Sequence, residues 1–266
     1  MSAHRAANAV KDDFQPLKPA AFPWPQKSSL NHFRRQTFSI WTTQGEPMSK
    51  PGAAEFLSYV SDPSFPCVGA KSAVARGNLR IIEARDMTSA WNDLEIHRAL
   101  LDWARDFGSA REGLRSLVVL FDGPSNLSEQ DFEAAMWTRL QSFADKDAWL
   151  GQPYDEAVSS DPEDPHFSLS FGGAAFFVVG LHPNASRPAR RFSRPALVFN
   201  LHDQFEQLRT KGSYDRMRDI IVERDVALAG FANPMLARHG ETSEARQYSG
   251  RQVEADWTCP FRDPRR

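Results

Sequence analysis

His166-Phe167-Ser168-Leu169-Ser170-Phe171-Gly172-Gly173-Ala174-Ala175-Phe176-Phe177-Val178-Val179-Gly180 is two apolar runs parted by a pair of glycines. The spacing predicts strands over 166–171 and 174–180, joined as an adjacent hairpin. A two-residue hairpin turn needs positive φ at its centre, which glycine adopts without a Cβ penalty. Further along, 196–200 reads as a third strand after a basic loop. Residues 214–229 read as a helix with Met217, Ile220, Ile221 and Leu228 on one side. Towards the N-terminus, 79–84 and 116–121 read as strands, and 52–59, 89–107 and 128–145 as helices. In the last of these, Ser128 and Asp131 make a capping-box-like start. Strands separated by helices, together with one adjacent hairpin, predict an α+β fold. We expect a single domain with a mixed, largely antiparallel sheet flanked by helices. Residues 1–30, rich in Pro, Lys, Ala and Ser without periodicity, read as a flexible N-terminal arm. Residues 31–266 form the single domain, with Trp24, Phe33, Phe38 and Trp41 suggesting that the later part of the arm docks on it.

The 266 residues are 41% hydrophobic and 25% charged, ordinary values for a soluble globular chain. A net charge of −2 argues against nucleic-acid and membrane-surface partners. The longest apolar run, 174–181, is too short to span a bilayer. The N-terminus lacks a basic stretch leading into an apolar one, so a cytoplasmic protein is expected. No dinucleotide fingerprint, P-loop, HExxH or G-x-S-x-G elbow is present.

Cys67, one of only two cysteines, lies in Asp62-Pro63-Ser64-Phe65-Pro66-Cys67-Val68-Gly69. Pro66 fixes its own φ and restricts Phe65, so the approach to the sulfur is rigid. Gly69 lets the backbone come close, where its N–H would lower the thiol pKa. A thiolate held this way is one means of binding haem iron. An inert, buried cysteine is the competing reading. The other cysteine, Cys259, closes an aromatic clasp, Trp257-Thr258-Cys259-Pro260-Phe261, and reads as structural.

Two further stretches are chemically rich. His182-Pro183-Asn184-Ala185-Ser186-Arg187-Pro188-Ala189-Arg190-Arg191 leaves the most apolar strand. Its three arginines suit carboxylates or phosphates, haem propionates among them. Its histidine suits an iron ligand or an acid/base. His202, at a strand-to-helix junction capped by Asn200 or Asp203, reads mainly as structural. In the polar stretch from Asn233 to Arg251, Glu241 or Glu244 would hold a cation, Arg246 and Arg251 an anion, and His239 would move a proton.

The blocks Phe167–Phe177, Gly180-Leu181-His182-Pro183, Val198–Phe205, Asn233–Leu236, His239–Glu241, Ser243–Arg251 and Trp257–Phe261, with Phe65-Pro66-Cys67, resemble the YqcI/YcgG family. The resemblance runs over about residues 55–261. That family includes haem-dependent N-hydroxylases of guanidine groups, of the guanitoxin and cycloserine biosynthesis types. The resemblance therefore implies a haem-dependent monooxygenase or peroxygenase with haem b as cofactor. Its substrate would be arginine or a related small-molecule guanidine, its oxidising partner a separate electron donor or a peroxide. Thiolate ligation favours O–O cleavage, which makes Cys67 the expected metal ligand, with His182 the alternative and His202 third. Arg187, Arg190 and Arg191 are then expected to hold propionates or the substrate carboxylate. His239 and Glu241 are the expected catalytic residues. A haem-binding or haem-sensing protein without turnover, ligated by His182, is the rival expectation; a haem-free anion binder is the third.

Overall fold

The computed structural model describes residues 51–109, 113–237 and 240–266, all within the unit Ser39–Arg266. The expected arm over 1–30 and its docking segment lie outside the described residues. Five strands, β1 (Leu79–Asp86), β2 (Ser116–Gly123), β3 (Leu169–Phe171), β4 (Ala174–Leu181) and β5 (Ala196–Leu201), form one sheet in the order β1-β2-β5-β4-β3. Only β1 and β2 pair in parallel; every other pairing is antiparallel. The hairpin forms as its glycines require, with φ of 60° at Gly172 and 75° at Gly173. Phe171 and Ala174 pair directly across the turn.

Helices cover both faces, as the α+β reading expects. Along β2 alternate side chains enter opposite cores. Leu117, Val119 and Phe121 meet α3 (Asp93–Ser109) and α4 (Glu129–Trp149) through Ile96, Leu100, Phe132 and Phe143. Val118 and Leu120 meet Phe56 and Val60 of α1 (Pro51–Ser61), with Ala70 and Val74 of α2 (Val68–Ala75) packed alongside. A strand buried on both faces reads as a continuous apolar run, which Ser116–Phe121 is. Beyond β5 follow α5 (Asp203–Thr210), α6 (Tyr214–Ala229) and the short α7 (Ala245–Tyr248). The α4 start is capped as expected: Ser128 Oγ accepts from Asp131 N at 3.1 Å and donates to its Oδ2 at 2.7 Å.

Three local expectations change. β3 begins at Leu169, not at His166, because Asp164 draws His166 and Phe167 into a turn. Its Oδ1 accepts from His166 N at 2.8 Å, and its carbonyl accepts from Phe167 N at 3.0 Å. The helix expected from Ser89 begins at Asp93, after a turn in which Ser89 N bonds Asp86 O at 3.2 Å. The chain after Cys67 is a helix, α2, that periodicity did not show: two turns with a glycine inside carry little pattern.

A buried carboxylate ties the far end of the molecule together. Asp147, fully buried near the end of α4, receives His97 Nε2 at 2.8 Å, Gly172 N at 2.9 Å and Arg265 Nη1 at 3.1 Å. α3, α4, the hairpin turn and the C-terminus thus share one anion.

Candidate active site

The segment before Cys67 is held from both sides. Asp62 Oδ1 accepts from Ser64 N at 2.8 Å, turning the chain into Phe65-Pro66. From α1, the Tyr59 ring meets Phe65 edge-on at 5.0 Å. From α6, Arg224 Nη2 donates to the carbonyls of Pro63 and Phe65. Cys67 itself is the N-cap of α2, with extended backbone (φ −76°, ψ 98°), and its Sγ accepts from Ala70 N at 3.4 Å. Gly69 is needed there: a Cβ would sit 3.1 Å from Leu114 Cδ1 and 3.8 Å from the sulfur.

The half-buried thiol is pushed up, not down, in pKa. Burial raises it; the Ala70 and Gly69 amides and the Arg190 charge act the other way and are outweighed. The expected lowering is thus present in its parts but not in its sum. Left to itself Cys67 is a thiol, and a coordinating metal would deprotonate it outright.

The basic loop between β4 and β5 folds over this cysteine's surroundings as a 3₁₀ turn, Pro188–Arg190, packed against α6. Tyr59 Oη donates to Ala189 O at 2.8 Å, so α1 touches both the turn and the Cys67 segment. Burial pushes the Tyr59 hydroxyl up to about 12, with Arg190 opposing. The three arginines divide their work. Arg187 is buried and gives Nε, at 2.9 Å, and Nη2 to one oxygen of Asp225 on α6. Arg191 closes its own loop, with Nε on Ala185 O at 2.6 Å and Nη2 on Ser186 O at 2.8 Å. Arg190 meets only carbonyls: Gly180 O at 3.0 Å, Tyr248 O at 3.3 Å and Gln247 O at 3.1 Å. Burial lowers its pKa to about 10; the neighbouring Tyr59, Asp225 and Cys67 oppose, and Arg187 reinforces.

His182 is buried, its ring stacked on Phe132 at 4.3 Å, and its Nδ1 has no partner. Burial lowers its pKa to about 4; Glu129 opposes and Arg190 reinforces. The ring is therefore neutral at pH 7, as a ligand or base requires. Because its folded pKa lies below the unfolded value near 6.5, the unfolded chain binds the proton more readily. His182 should cost stability as pH falls from about 6.5 to 4, by roughly 1–3 kcal/mol. His182→Gln should flatten that part of the wild-type melting-temperature profile; an unchanged slope would remove this assignment. Gly180 supports the same ring. A Cβ there would lie 2.7 Å from Phe132 Cε1 and 3.1 Å from Tyr248 O. Gly180→Ala should therefore lose about 1–3 kcal/mol through overpacking. Urea unfolding measures it, and a variant as stable as wild type would refute the contact.

The remaining sequence candidates do other work or lie elsewhere. Glu241 is exposed, next to Gly240, whose Cβ position lies 3.6 Å from His166 Nε2. His239 lies outside the described residues. Glu244 is buried and accepts from Ser168 Oγ at 2.6 Å. Arg246 holds the carbonyl of Trp257 at 3.0 Å, and Arg251 Nε holds Glu133 at 2.8 Å. Both pin the C-terminal stretch, where sequence suggested an anion site. His202 sits between Glu206 and Glu244, at 3.9 and 3.8 Å. Burial pushes the Cys259 thiol up to about 12, which suits its structural reading.

Tyr59, Arg224 and Asp225 are the neighbours that sequence reading missed. The signal for Asp225 was a carboxylate on the side of α6 that faces other elements; it is buried, with Oδ1 unpartnered. Such an atom costs about 1–3 kcal/mol. Among the described residues, no group of three or more His, Cys, Asp or Glu is placed to hold a metal ion. A porphyrin iron needs only an axial ligand, and the donors here suit one: a sulfur at a helix start. Arg187 is paired with Asp225, whereas Arg190 and Arg191 donate only to carbonyls. Of these two, Arg190 is the one whose charge acts on Cys67, which fits a propionate beside that sulfur.

No helix among the described residues is long and apolar enough to cross a membrane. A family model described as YqcI/YcgG family matches residues 55–262, well over half of the chain. No curated protein and no solved structure matches it.

Proposed function

Because the chain belongs to the YqcI/YcgG family, we propose that it is a haem-dependent N-hydroxylase acting on arginine or a related guanidine. The observation that carries this reading is Cys67 at the start of α2, its Sγ already accepting one backbone hydrogen bond. Hydrogen bonds to a coordinating sulfur and its burial are what tune a haem-thiolate centre. Cys67 would hold the iron and Arg190 a propionate. Haem bound there would supply the oxidising power that a protein side chain lacks. The reaction inserts one oxygen atom into an N–H bond. From dioxygen it needs two electrons and two protons, and the second oxygen leaves as water. From hydrogen peroxide it needs no donor, and water again leaves.

The chain's own groups account for the rest. The Phe65-Pro66 approach, clamped by Tyr59 and Arg224, fixes where the sulfur points. The Ala70 amide donates to the sulfur and would temper the charge it presents to iron. The neutral His182 ring, with its unpartnered nitrogen, carries the second reading: a haem-binding protein ligated by that imidazole. An absorption spectrum of the purified protein separates the readings. Turnover through Cys67 requires a red protein whose ferrous-CO band lies at the thiolate position. Ligation by His182 gives a band that ignores Cys67→Ala and disappears with His182→Ala. A colourless protein that takes up no hemin rejects both.

A further inference from the structure

We propose that Tyr248 is a redox-active tyrosine. When no substrate is bound, it gives an electron to haem that peroxide has oxidised, and Trp137 and Trp257 refill it from the surface. The assignment rests on the haem reading and adds to it a path by which the protein discharges surplus oxidant.

The hydroxyl sets this residue apart from its neighbours. Its ring is fully buried, with ring centres of Phe177 at 5.3 Å, Trp137 at 5.8 Å and Phe167 at 6.4 Å. A phenylalanine would fill the same space; tyrosine adds a polar group that has to be desolvated. That hydroxyl donates to Phe176 O at 3.3 Å and lies within hydrogen-bond reach of Ser168. Ser168 Oγ donates in turn to Glu244 at 2.6 Å, a buried carboxylate that also faces His202 at 3.8 Å. Burial pushes the phenol well above its ordinary range, and the Glu244 charge reinforces this. A phenol so held gives up an electron only if its proton leaves as well, and the Ser168–Glu244 pair is a route for that proton.

Indole is the other readily oxidised ring, and two lie in line. Trp137 contacts Tyr248, and its ring centre is 6.3 Å from that of Trp257, which is half-buried. Trp137 Nε1 is buried with no partner, so this indole keeps its proton and passes an electron alone. Arg246 lies 5.5 Å over Trp257, so positive charge does not rest there. At the inner end, Tyr248 O accepts from Arg190 Nη1 at 3.3 Å, and the Arg190 charge reaches Cys67. No cavity is needed, because only electrons and a proton move. In each pass Tyr248 loses one electron inwards and its proton to Glu244 through Ser168. One electron then arrives through Trp257 and Trp137, and the proton returns. Two passes with two protons convert one hydrogen peroxide to two waters. A thiol reductant at the surface closes the cycle: two thiols become one disulfide and supply the two electrons and two protons.

The test is freeze-quench electron paramagnetic resonance of the full, hemin-loaded chain mixed with hydrogen peroxide and no guanidine. Wild type should give a tyrosyl signal that narrows when the tyrosine rings are deuterated, and Tyr248→Phe should remove it. Trp137→Phe should keep the signal and slow its decay on adding a thiol. Ser168→Ala, which cuts the proton route without touching a ring, should lower the yield; it keeps the test open if Tyr248→Phe does not fold. A tyrosyl signal that survives Tyr248→Phe, its absence from wild type that has taken up hemin, or equal decay in Trp137→Phe and wild type overturns the proposal. A wild type that takes up no hemin refutes the haem reading instead. Azidyl radicals, which oxidise accessible indoles, then decide the relay on hemin-free protein. Transfer from tryptophan to tyrosine should follow and should vanish in Tyr248→Phe; its persistence there overturns the relay.

Discussion

Cys67→Ala should leave the protein folded and remove both the thiolate spectral signature and N-hydroxylation of arginine. The fold does not rest on this side chain. Its sulfur is half-buried, and the hydrogen bond it accepts from Ala70 N at 3.4 Å is a helix cap. Losing such a cap costs about 0.5–2 kcal/mol. The functional loss should be far larger. Removing groups that only support a metal ligand commonly costs 10–100-fold, and removing the ligand itself should exceed about 100-fold. Turnover of arginine by the variant at the wild-type rate would end the thiolate proposal. Cys67→Ser is the sharper control, since it keeps the cap while replacing the soft donor. Melting temperature and hemin titration, run beside the activity assay, separate a lost ligand from a lost fold.

Asp147→Ala is expected to be the most destabilising single change, at about 3–5 kcal/mol, because it strands buried charge. His97 and Arg265 both lose their acceptor, and the Gly172 amide at the hairpin turn loses its only anchor to α4. For a domain of this size, that corresponds to a fall in melting temperature of roughly 6–20 °C. Asp147→Asn should lose less, because its amide oxygen still accepts one of these bonds. Asp219, whose side chain is 75% exposed, provides the control: its alanine variant should change stability by less than about 0.5 kcal/mol. Equal effects at the two positions would show that the network carries no stability. The site around Cys67 lies on the opposite face of the sheet from α3 and α4, so hemin uptake by folded Asp147→Asn should match wild type.

Asp147 also shows how much was there to be read. Leu140, Phe143, Ala144 and Asp147 fall at i, i+3, i+4 and i+7 on α4, so the carboxylate occupies a core position. A charged residue on an apolar stripe signals a buried network. The spacing announces the burial; it names none of the partners, which come from residues 97, 172 and 265. Arg139 and Asp93 repeat the lesson: both are buried, and they pair at 2.9 Å across 46 residues.

What the linear chain determined by itself was local. The Gly172-Gly173 turn, the apolar run of β2, the Ser128 cap and the stripe of α4 follow from backbone sterics and side-chain period, which act over a few residues. Those rules were enough to give the five strands, four of the helices (α1, α3, α4 and α6) and the α+β class. Folding alone decided which arginine had a charge to spare. Arg187, Arg190 and Arg191 stand within five residues and are alike in sequence, yet Asp225 takes the first, carbonyls take the other two, and the charge of Arg190 acts on Cys67. The helix that Cys67 caps was settled the same way. Electrostatic and hydrogen-bond partners are chosen by distance in space, and only the sheet's crossovers bring residues 67, 190 and 225 within reach of one another.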